Sequence, residues 1–182
     1  MTRMEAGMEQ EYNDAGAAAQ YLSFSLGREI YGVPIAAVRE VIEYHRISPV
    51  PLACETVKGV MNLRGNVITV VDLSARLYGR KKSDAENGIV IIAEVEDEGQ
   101  PVLMGMLIDG VNEVIDLTEE ETENEPEFGA RIRSDFISRI GRKDGVFVII
   151  LDIARMLNLE ELSQLNAASA DMTQEGNVRC IV

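Results

Sequence analysis

Side chains suited to acid–base or nucleophilic chemistry are few in this chain and stand apart. His45 is the sole histidine, and its neighbours Glu43-Tyr44 and Arg46 include no serine or cysteine nucleophile motif. Because histidine is the usual general base near neutral pH, its isolation favours a surface side chain. Asp72 and Asp152 precede short predicted helices at matched places, which favours helix capping over paired catalytic carboxylates. The sequence therefore predicts no catalytic residue and no enzyme.

No segment has the pattern of a phosphate, metal or cofactor site. The chain lacks a G-x-x-x-x-G-K-[ST] loop, and Gly141 and Gly145 frame a predicted hairpin, where turn geometry calls for glycine. The run Asp116–Glu127 carries seven carboxylates without the glycine and spacing of a calcium loop, which indicates a solvated loop. Cys54 and Cys180 are too far apart for a metal or disulfide framework, so a reducing compartment is expected.

The charge of the chain narrows the class of partner. Its formal net charge of −14 argues against nucleic acid and anionic membrane surfaces, which bind clustered Lys and Arg. A basic protein partner suits this charge better. The sequence has no apolar run of about 18 residues, so no membrane insertion is expected. We therefore expect a cytoplasmic, globular protein, consistent with its 46% hydrophobic residues.

An internal repeat organises the chain. Residues 31–42 (YGVPIAAVREVI) and 104–115 (MGMLIDGVNEVI) share six identical positions at an offset of 73. A second echo follows each copy, where VITVVDLSARL from Val67 is matched by VFVIILDIARML from Val146. A repeat of this kind indicates two copies of one small structural unit.

The pattern of apolar residues predicts a mostly β fold with short helices. Pro34 and the apolar residues up to Ile42 suit one or two helical turns. The second copy of this segment, with Gly110 and β-branched neighbours, could instead form a strand. Asp72 is predicted to cap a short helix Leu73–Leu77, and Asp152 a longer helix to about Leu165. The remaining periodic segments predict strands: Tyr21–Leu26, Ile30–Val33, Val57–Leu63, Val67–Val71, Ile89–Glu96, Val102–Leu107, Ile132–Ile140 and Val146–Leu151.

These strands predict two small barrels side by side, with a groove between them as a partner surface. The charged segment Gly79–Gly88 is the expected boundary. The predicted division is a flexible lead, a first barrel, a second barrel with the C-terminal helix, and a mobile tail: 1–19, 20–80, 88–165 and 166–182.

One combination of motifs makes the family recognisable. Gly59–Gly65 reads GVMNLRG and continues as VITVVDL from Val67, while YGVPI begins at Tyr31 and DGV at Asp109. In this order, from about Tyr21 to Leu162, the chain resembles the bacterial chemotaxis coupling (adaptor) proteins of the CheW family.

That resemblance implies two five-stranded SH3-like barrels and a non-enzymatic adaptor. Such a protein couples the cytoplasmic helical hairpins of methyl-accepting chemoreceptors to the regulatory domain of a CheA-type histidine kinase. It is recruited from the cytoplasm to membrane-bound receptor arrays and can form rings with the kinase domain. The alternative is a receptor or kinase scaffold in a parallel, non-motility two-component pathway.

The resemblance also implies two sets of binding residues. The kinase set contains Arg39, Glu40, Val41, Arg64 and Gly65, with a salt bridge between Glu40 and Arg64; alternatively, Arg64 is merely a charged turn residue. A second set is implied for a receptor helix lying in an apolar groove, and its valines could instead be plain core residues. This receptor set contains Ile35, Val38, Gly59, Asn62, Gly105, Val111 and Val114.

Overall fold

The computed structural model describes residues 18–43, 47–51, 53, 55–79, 88–123, 134–158 and 160–162. These residues form a mostly β structure with two short α-helices and three 3₁₀ turns, as the sequence predicts. The strands are β1 Ala19–Leu26, β2 Glu29–Pro34, β3 Val38–Glu43, β4 Val57–Leu63, β5 Asn66–Asp72, β6 Ile89–Asp97, β7 Gln100–Ile108, β8 Gly110–Leu117, β9 Thr122–Glu123, β10 Ile137–Lys143 and β11 Val146–Leu151. The helices are α1 Leu73–Tyr78 and α2 Ile153–Met156, and the 3₁₀ turns are Ile35–Ala37, Glu119–Glu121 and Ser134–Phe136.

The strands form two sheets with the same internal order. The first barrel has the order β3-β6-β7-β5-β4, and the second has β8-β1-β2-β11-β10 with β9 added at one edge. In each sheet two hairpins are joined by a parallel strand pair. Strand β7 of the hairpin β6–β7 pairs with β5 of β4–β5, and β2 of the hairpin β1–β2 pairs with β11 of β10–β11. The two SH3-like barrels are therefore structural repeats, matched strand by strand.

The chain path differs from the predicted division at Gly79–Gly88. The first barrel runs from β3 to β7, whereas the second combines β1 and β2 with β8 to β11. The first barrel is thus inserted into the second, and neither 20–80 nor 88–165 corresponds to one barrel. The described chain crosses between barrels at the 3₁₀ turn Ile35–Ala37 and at Asp109. The sequence does not reveal this exchange because hairpins β1–β2 and β6–β7 have similar apolar patterns.

Most of the core lies between the barrels. The interior of each barrel has four buried apolar residues, whereas the layer between the barrels has 21 within the described chain. Strand β6 shows the arrangement, because Val90 and Ile92 face the interior of the first barrel while Ile91 and Ala93 face the central layer. Burial on both faces explains why this strand is continuously apolar in sequence.

The narrow barrel interiors require glycine at one repeated position. A Cβ atom on Gly32 would come within 2.8 Å of Ile150 Cδ1, and one on Gly105 would come within 2.8 Å of Val90 Cγ1. These two glycines are equivalent in the repeat, and each sits beside the parallel strand pair. They are conserved between the two copies because the packed interior leaves no space for a side chain.

Predicted helices end earlier than the sequence suggested. The segment from Pro34 forms a 3₁₀ turn, and Val38 to Ile42 are in strand β3, where β-branched residues are favoured. The helix predicted to reach Leu165 ends as α2 at Met156, and Leu157 leaves helical geometry. Helical hydrogen bonding resumes where Leu162 N donates to Asn158 O at 3.0 Å. Residues from 163 onward lie outside the described part.

Other predicted boundaries are confirmed or shifted. Asp72 and Asp152 each accept a hydrogen bond from the backbone three residues later, Ala75 N and Arg155 N, both at 3.1 Å, which confirms capping. The strand predicted from Ile132 begins at Ile137. The acidic run is partly ordered, because β8 continues into it and Thr118 forms a capping box. Of the predicted lead 1–19, residues 1–17 lie outside the described residues, as do His45 and both cysteines, and Ala19 is the first residue of β1.

The helices fasten the two barrels to each other. Arg76 on α1 is 4% exposed; its Nε donates to Met156 O on α2 at 3.0 Å, and its Nη2 lies 2.7 Å from Glu161 Oε2. The guanidinium also lies 4.4 Å from the centre of the Phe136 ring. Because every polar group of a buried arginine needs a partner, these contacts fix the C-terminal segment against α1.

A second fastening uses two tyrosines. The hydroxyls of Tyr31 on β2 and Tyr78 on α1 contact each other, and both donate to the carboxylate of Glu29. Burial, followed by the hydrogen bond to Glu29, raises the pKa of Tyr78 to about 12. Burial also raises the pKa of Tyr31, above that of an ordinary tyrosine. Both hydroxyls are therefore held neutral in the folded protein.

This cluster predicts a loss of stability in alkali. A raised tyrosine pKa means that the folded state holds its proton more tightly than the unfolded state, so its stabilisation is complete below pH 10 or so and is lost as pH rises toward 12. Thermal unfolding followed by circular dichroism should show a smaller fall in Tm between about pH 9 and 11 for Tyr78→Phe than for the unchanged protein. Parallel curves for the two proteins would contradict this role.

Closure of the first barrel depends on one glycine. Ser48 extends the sheet by pairing with Val60, with N···O distances of 2.8 and 2.9 Å. Gly59 beside it has a φ of 152°, and a Cβ there would lie 2.3 Å from Ser48 O. The backbone of Ser48 therefore occupies the position that a side chain at Gly59 would need.

We expect Gly59→Ala to lower the free energy of unfolding by more than about 1 kcal/mol, because alanine meets both an unfavourable φ and a backbone clash. Urea denaturation followed by circular dichroism measures this difference. Gly110→Ala is the matched control, since a Cβ at Gly110 would meet nothing within 4 Å. Equal effects of the two substitutions would show that closure at Ser48 is unimportant.

Candidate functional site

A two-residue turn sets the geometry of one end of the first barrel. Leu63 pairs with Asn66, so that Arg64 and Gly65 alone connect β4 to β5, with φ values of 52° and 92°. Two positive φ values match the right-handed twist of a hairpin, and glycine adopts the second at little cost. Asn62 Oδ1 accepts a hydrogen bond from Gly65 N at 2.8 Å and stabilises the turn. Arg64 is consequently held at the very end of the hairpin.

From this turn, Arg64 reaches strand β3. Its Nη2 donates to Glu40 Oε2 at 2.9 Å, so the salt bridge expected from the resemblance is present. The Arg64 side chain is 79% exposed and that of Glu40 is 24% exposed. An exposed pair of this kind contributes about 0–1 kcal/mol to stability. The pair is therefore better suited to orienting two charges toward a partner than to holding the barrel together.

The remaining members of the predicted kinase set lie around this pair. Arg39 and Val41 are on β3, and Val41 is exposed, as is Gly65 in the turn. The structure adds Val67, which is 73% exposed and which sequence reasoning assigned to a buried strand. The available signal was an apolar residue only two positions after the turn glycine, near the end of the hairpin. We call this surface the first tip; it consists of Arg39, Glu40, Val41, Arg64, Gly65 and Val67.

The second barrel has an equivalent end with a different charge. The turn between β10 and β11 contains Asp144 and Gly145, so a carboxylate occupies the place of Arg64. Phe147, 64% exposed, occupies the place of Val67, and the Arg142 guanidinium lies 5.8 Å from its ring centre. We call this surface the second tip; it consists of Asn112, Glu113, Val114, Asp144, Gly145 and Phe147. The two tips share a backbone but present different charges.

The predicted receptor set is divided by the structure. Ile35, Val38 and Val111 are half-buried and pack against the central layer, next to the two chain crossings. Val114 is 48% exposed on β8. The repeat relates Val38 to Val111, so matching residues of the two barrels line the junction. The half-buried side chains pack on the central layer on one side and are accessible to a partner on the other.

The polar and glycine members of that set are placed elsewhere. Asn62 is at the tip, where its side chain supports the turn. Gly59 and Gly105 are buried within the first barrel, and the chain itself fills the space over each of them. The close approach that these glycines permit is therefore between parts of this chain. The expected contact of a receptor helix with their backbone is not available in this arrangement.

Neither a metal centre nor a membrane span is found in the described part of the chain. No group of three or more metal-ligand side chains comes together among the described residues. Within the same residues, no helix is both long and apolar enough to cross a membrane.

Comparison with known proteins gives one family throughout. Residues 20–161 match the family model of the CheW-like domain. The chain is 32% identical over 144 residues to the chemotaxis protein CheW of Klebsiella aerogenes, covering 79% of this chain and 84% of that one. It is 30% identical over 150 residues to CheW of Treponema pallidum, covering 80% and 86%.

A solved structure agrees with these sequences. The scaffolding protein TtCheW of Thermoanaerobacter tengcongensis superposes with a TM-score of 0.69 at 31% identity, covering 79% of this chain and 94% of that one. The family model spans nearly all described residues, and the similarity includes both barrels. The chain therefore belongs to the CheW-like domain family.

Proposed function

We propose that this protein is a non-enzymatic chemotaxis adaptor that couples chemoreceptors to a CheA-type histidine kinase. The observation that carries the proposal is the exposed Glu40–Arg64 pair at the first tip of a CheW-like domain. Its relatives are named as chemotaxis proteins, and one is named as a scaffolding protein. These names favour chemotaxis over the alternative of a non-motility pathway.

The first tip is the proposed docking surface for the kinase regulatory domain. Arg64 presents a rigid, fully charged guanidinium, and Glu40 fixes its direction. Val41 and Val67 add exposed apolar area on either side. Arginine is among the residue types that are enriched in binding hot spots.

The junction between the barrels is the proposed receptor surface. Ile35, Val38 and Val111 present apolar surface beside the central layer, and Val114 extends it on β8. A chemoreceptor tip is a helical hairpin, so we propose recognition of a helix in an apolar groove. Gly59, Asn62 and Gly105 support this role indirectly, by shaping the first barrel.

Location and assembly follow from these two surfaces. We propose that the adaptor acts in the cytoplasm and is recruited to membrane-bound receptor arrays through its partners. With a tip at the end of each barrel, ring assembly with the kinase regulatory domain is part of the proposal. Contacts of this heterologous kind close into rings when the rotation between neighbours permits.

Calorimetric titration against the regulatory domain of a CheA-type kinase from the same organism tests the proposal. We expect Arg64→Glu to weaken binding by about tenfold or more, since arginine is often a hot-spot residue. Its Tm should stay close to that of the unchanged protein, because the Arg64 side chain is 79% exposed.

Arg28→Glu provides a matched control with the same change of charge at an exposed turn of the second barrel, between β1 and β2. It should bind the kinase domain as the unchanged protein does. If neither the unchanged protein nor the control binds, the coupling role is wrong. If Arg64→Glu loses Tm in step with affinity, Arg64 is a structural turn residue instead.

A further inference from the structure

Strand β3 contains an extra residue beside the Glu40–Arg64 pair. Val38 pairs with Ala93 and Glu40 pairs with Ile92, so Arg39 has no opposite residue on β6. A bulge of this kind changes the face on which the following side chains lie. Ile42, two residues after Glu40, packs in the interior cluster of the first barrel with Ile92.

The bulge decides where the Glu40 carboxylate points. Without it, Glu40 would pair with Ile91, which faces the apolar central layer, and Arg39 would pair with Ile92. A shift of one residue moves every side chain to the other face of a strand. Glu40 would then lie on the other face of β3, away from Arg64, so the bulge is a condition for the Glu40–Arg64 pair.

A bidentate ion pair joins the bulge residue to the neighbouring strand. Arg39 Nε donates to Glu94 Oε2 at 3.0 Å, and its Nη2 donates to Oε1 at 2.7 Å. The hydrogen bond from Arg39 lowers the pKa of Glu94, which keeps the carboxylate charged at neutral pH. Two parallel hydrogen bonds define a direction as well as a contact. Arg39 is thereby fixed against Glu94 of β6.

The second barrel repeats the bulge with different side chains. Leu22 pairs with Val114 and Phe24 with Val111, which leaves an extra residue on β8. The repeat offset of 73 relates Arg39 to Asn112 and Glu40 to Glu113. Gly32 and Gly105 are equivalent, and they pair with Ser23 and Ile92, respectively. Ser23 is therefore equivalent to Ile92, and two residues further along each strand Ser25 is equivalent to Glu94.

Those equivalent positions are also bonded to each other. Ser25 Oγ donates to Asn112 Oδ1 at 2.9 Å. The equivalent residues of the first barrel are bonded in the opposite direction, since Arg39 donates to Glu94. Ser23 Oγ additionally donates to Glu113 O at 2.7 Å and accepts from Glu113 N at 3.2 Å. Both copies therefore hold the same bulge with a side-chain bond at the same two positions. In the first barrel Ile92 replaces Ser23, so the Arg39–Glu94 pair has no such hydroxyl to assist it.

We propose that Arg39 and Glu94 are positioning residues for kinase docking: their ion pair holds the β3 bulge that directs Glu40 to Arg64. Arg39 then acts through Glu40 and need not contact the kinase. The inference rests on the proposed kinase-binding role of the first tip, and Glu94 is a residue that the family resemblance did not single out.

The first measurement needs no kinase. Nuclear magnetic resonance relaxation of the Arg64 side-chain Nε–Hε group reports whether Arg64 is held. In Glu94→Gln we expect Arg64 to become more mobile, and in the exchanged variant Arg39→Glu with Glu94→Arg we expect its order to return. Ser25→Ala, which removes the equivalent bond in the second barrel, should leave Arg64 unchanged. An Arg64 signal unaffected by Glu94→Gln would overturn the inference whatever the kinase does.

The second measurement is calorimetric titration with the kinase regulatory domain. Glu94→Gln should weaken binding by up to about fivefold, the most that the loss of one exposed ion pair is expected to cost. In a Glu40→Gln background the same change should have no further effect, because the residue through which it acts is already gone. An equal loss in both backgrounds would mean that Arg39 or Glu94 contacts the kinase directly. Absence of any kinase binding, with Arg64 still responding to Glu94→Gln, would refute the proposed function and leave the positioning role standing.

Discussion

The apolar layer between the two barrels is the constraint on which the rest of the structure depends. Small barrels of five strands enclose little volume, and within the described residues each encloses four buried apolar residues. The layer between them holds 21 of the described residues and draws strands from both sheets. Because burial of apolar area is the main source of stability, neither barrel is self-sufficient. The relative orientation of the barrels is consequently as well determined as the interior of each.

Insertion of one barrel into the other strengthens this union. The chain enters the first barrel at Ile35–Ala37 and leaves it at Asp109, and both crossings lie beside the central layer. The contacts of Arg76 with α2 and of Tyr78 with Tyr31 cross the same boundary. Surfaces on the two barrels are thereby held at a fixed separation, as an adaptor with two partners requires.

Local structure could be predicted from the sequence far better than pairing. The hairpin turns, the capping aspartates and most strands follow from short-range rules on glycine, Asp72 and Asp152, and alternation. The ranges of the barrels could not be predicted, because β1–β2 and β6–β7 are equivalent in pattern and only the tertiary packing decides which sheet each joins. The bulge at Arg39 could not be predicted either, because the apolar residues around it have the spacing of a helix. The resemblance implied Gly59 and Gly105 as receptor-binding residues, whereas the structure shows that the close approach at each glycine is to other parts of this chain. The Glu40–Arg64 pair was expected from the resemblance, whereas Val67 and Glu94 could be identified only from the three-dimensional structure.

The turns of the two tips have the same pairing and carry residues of opposite charge, Arg64 in one barrel and Asp144 in the other. Two tips with the same turn geometry and opposite turn charges present different electrostatic surfaces to a partner. A partner that presents a carboxylate is attracted at one end and repelled at the other, even though the shapes are alike. Duplication of a barrel supplies two equivalent tips, and a change at a single turn position is enough for a charged partner to distinguish them.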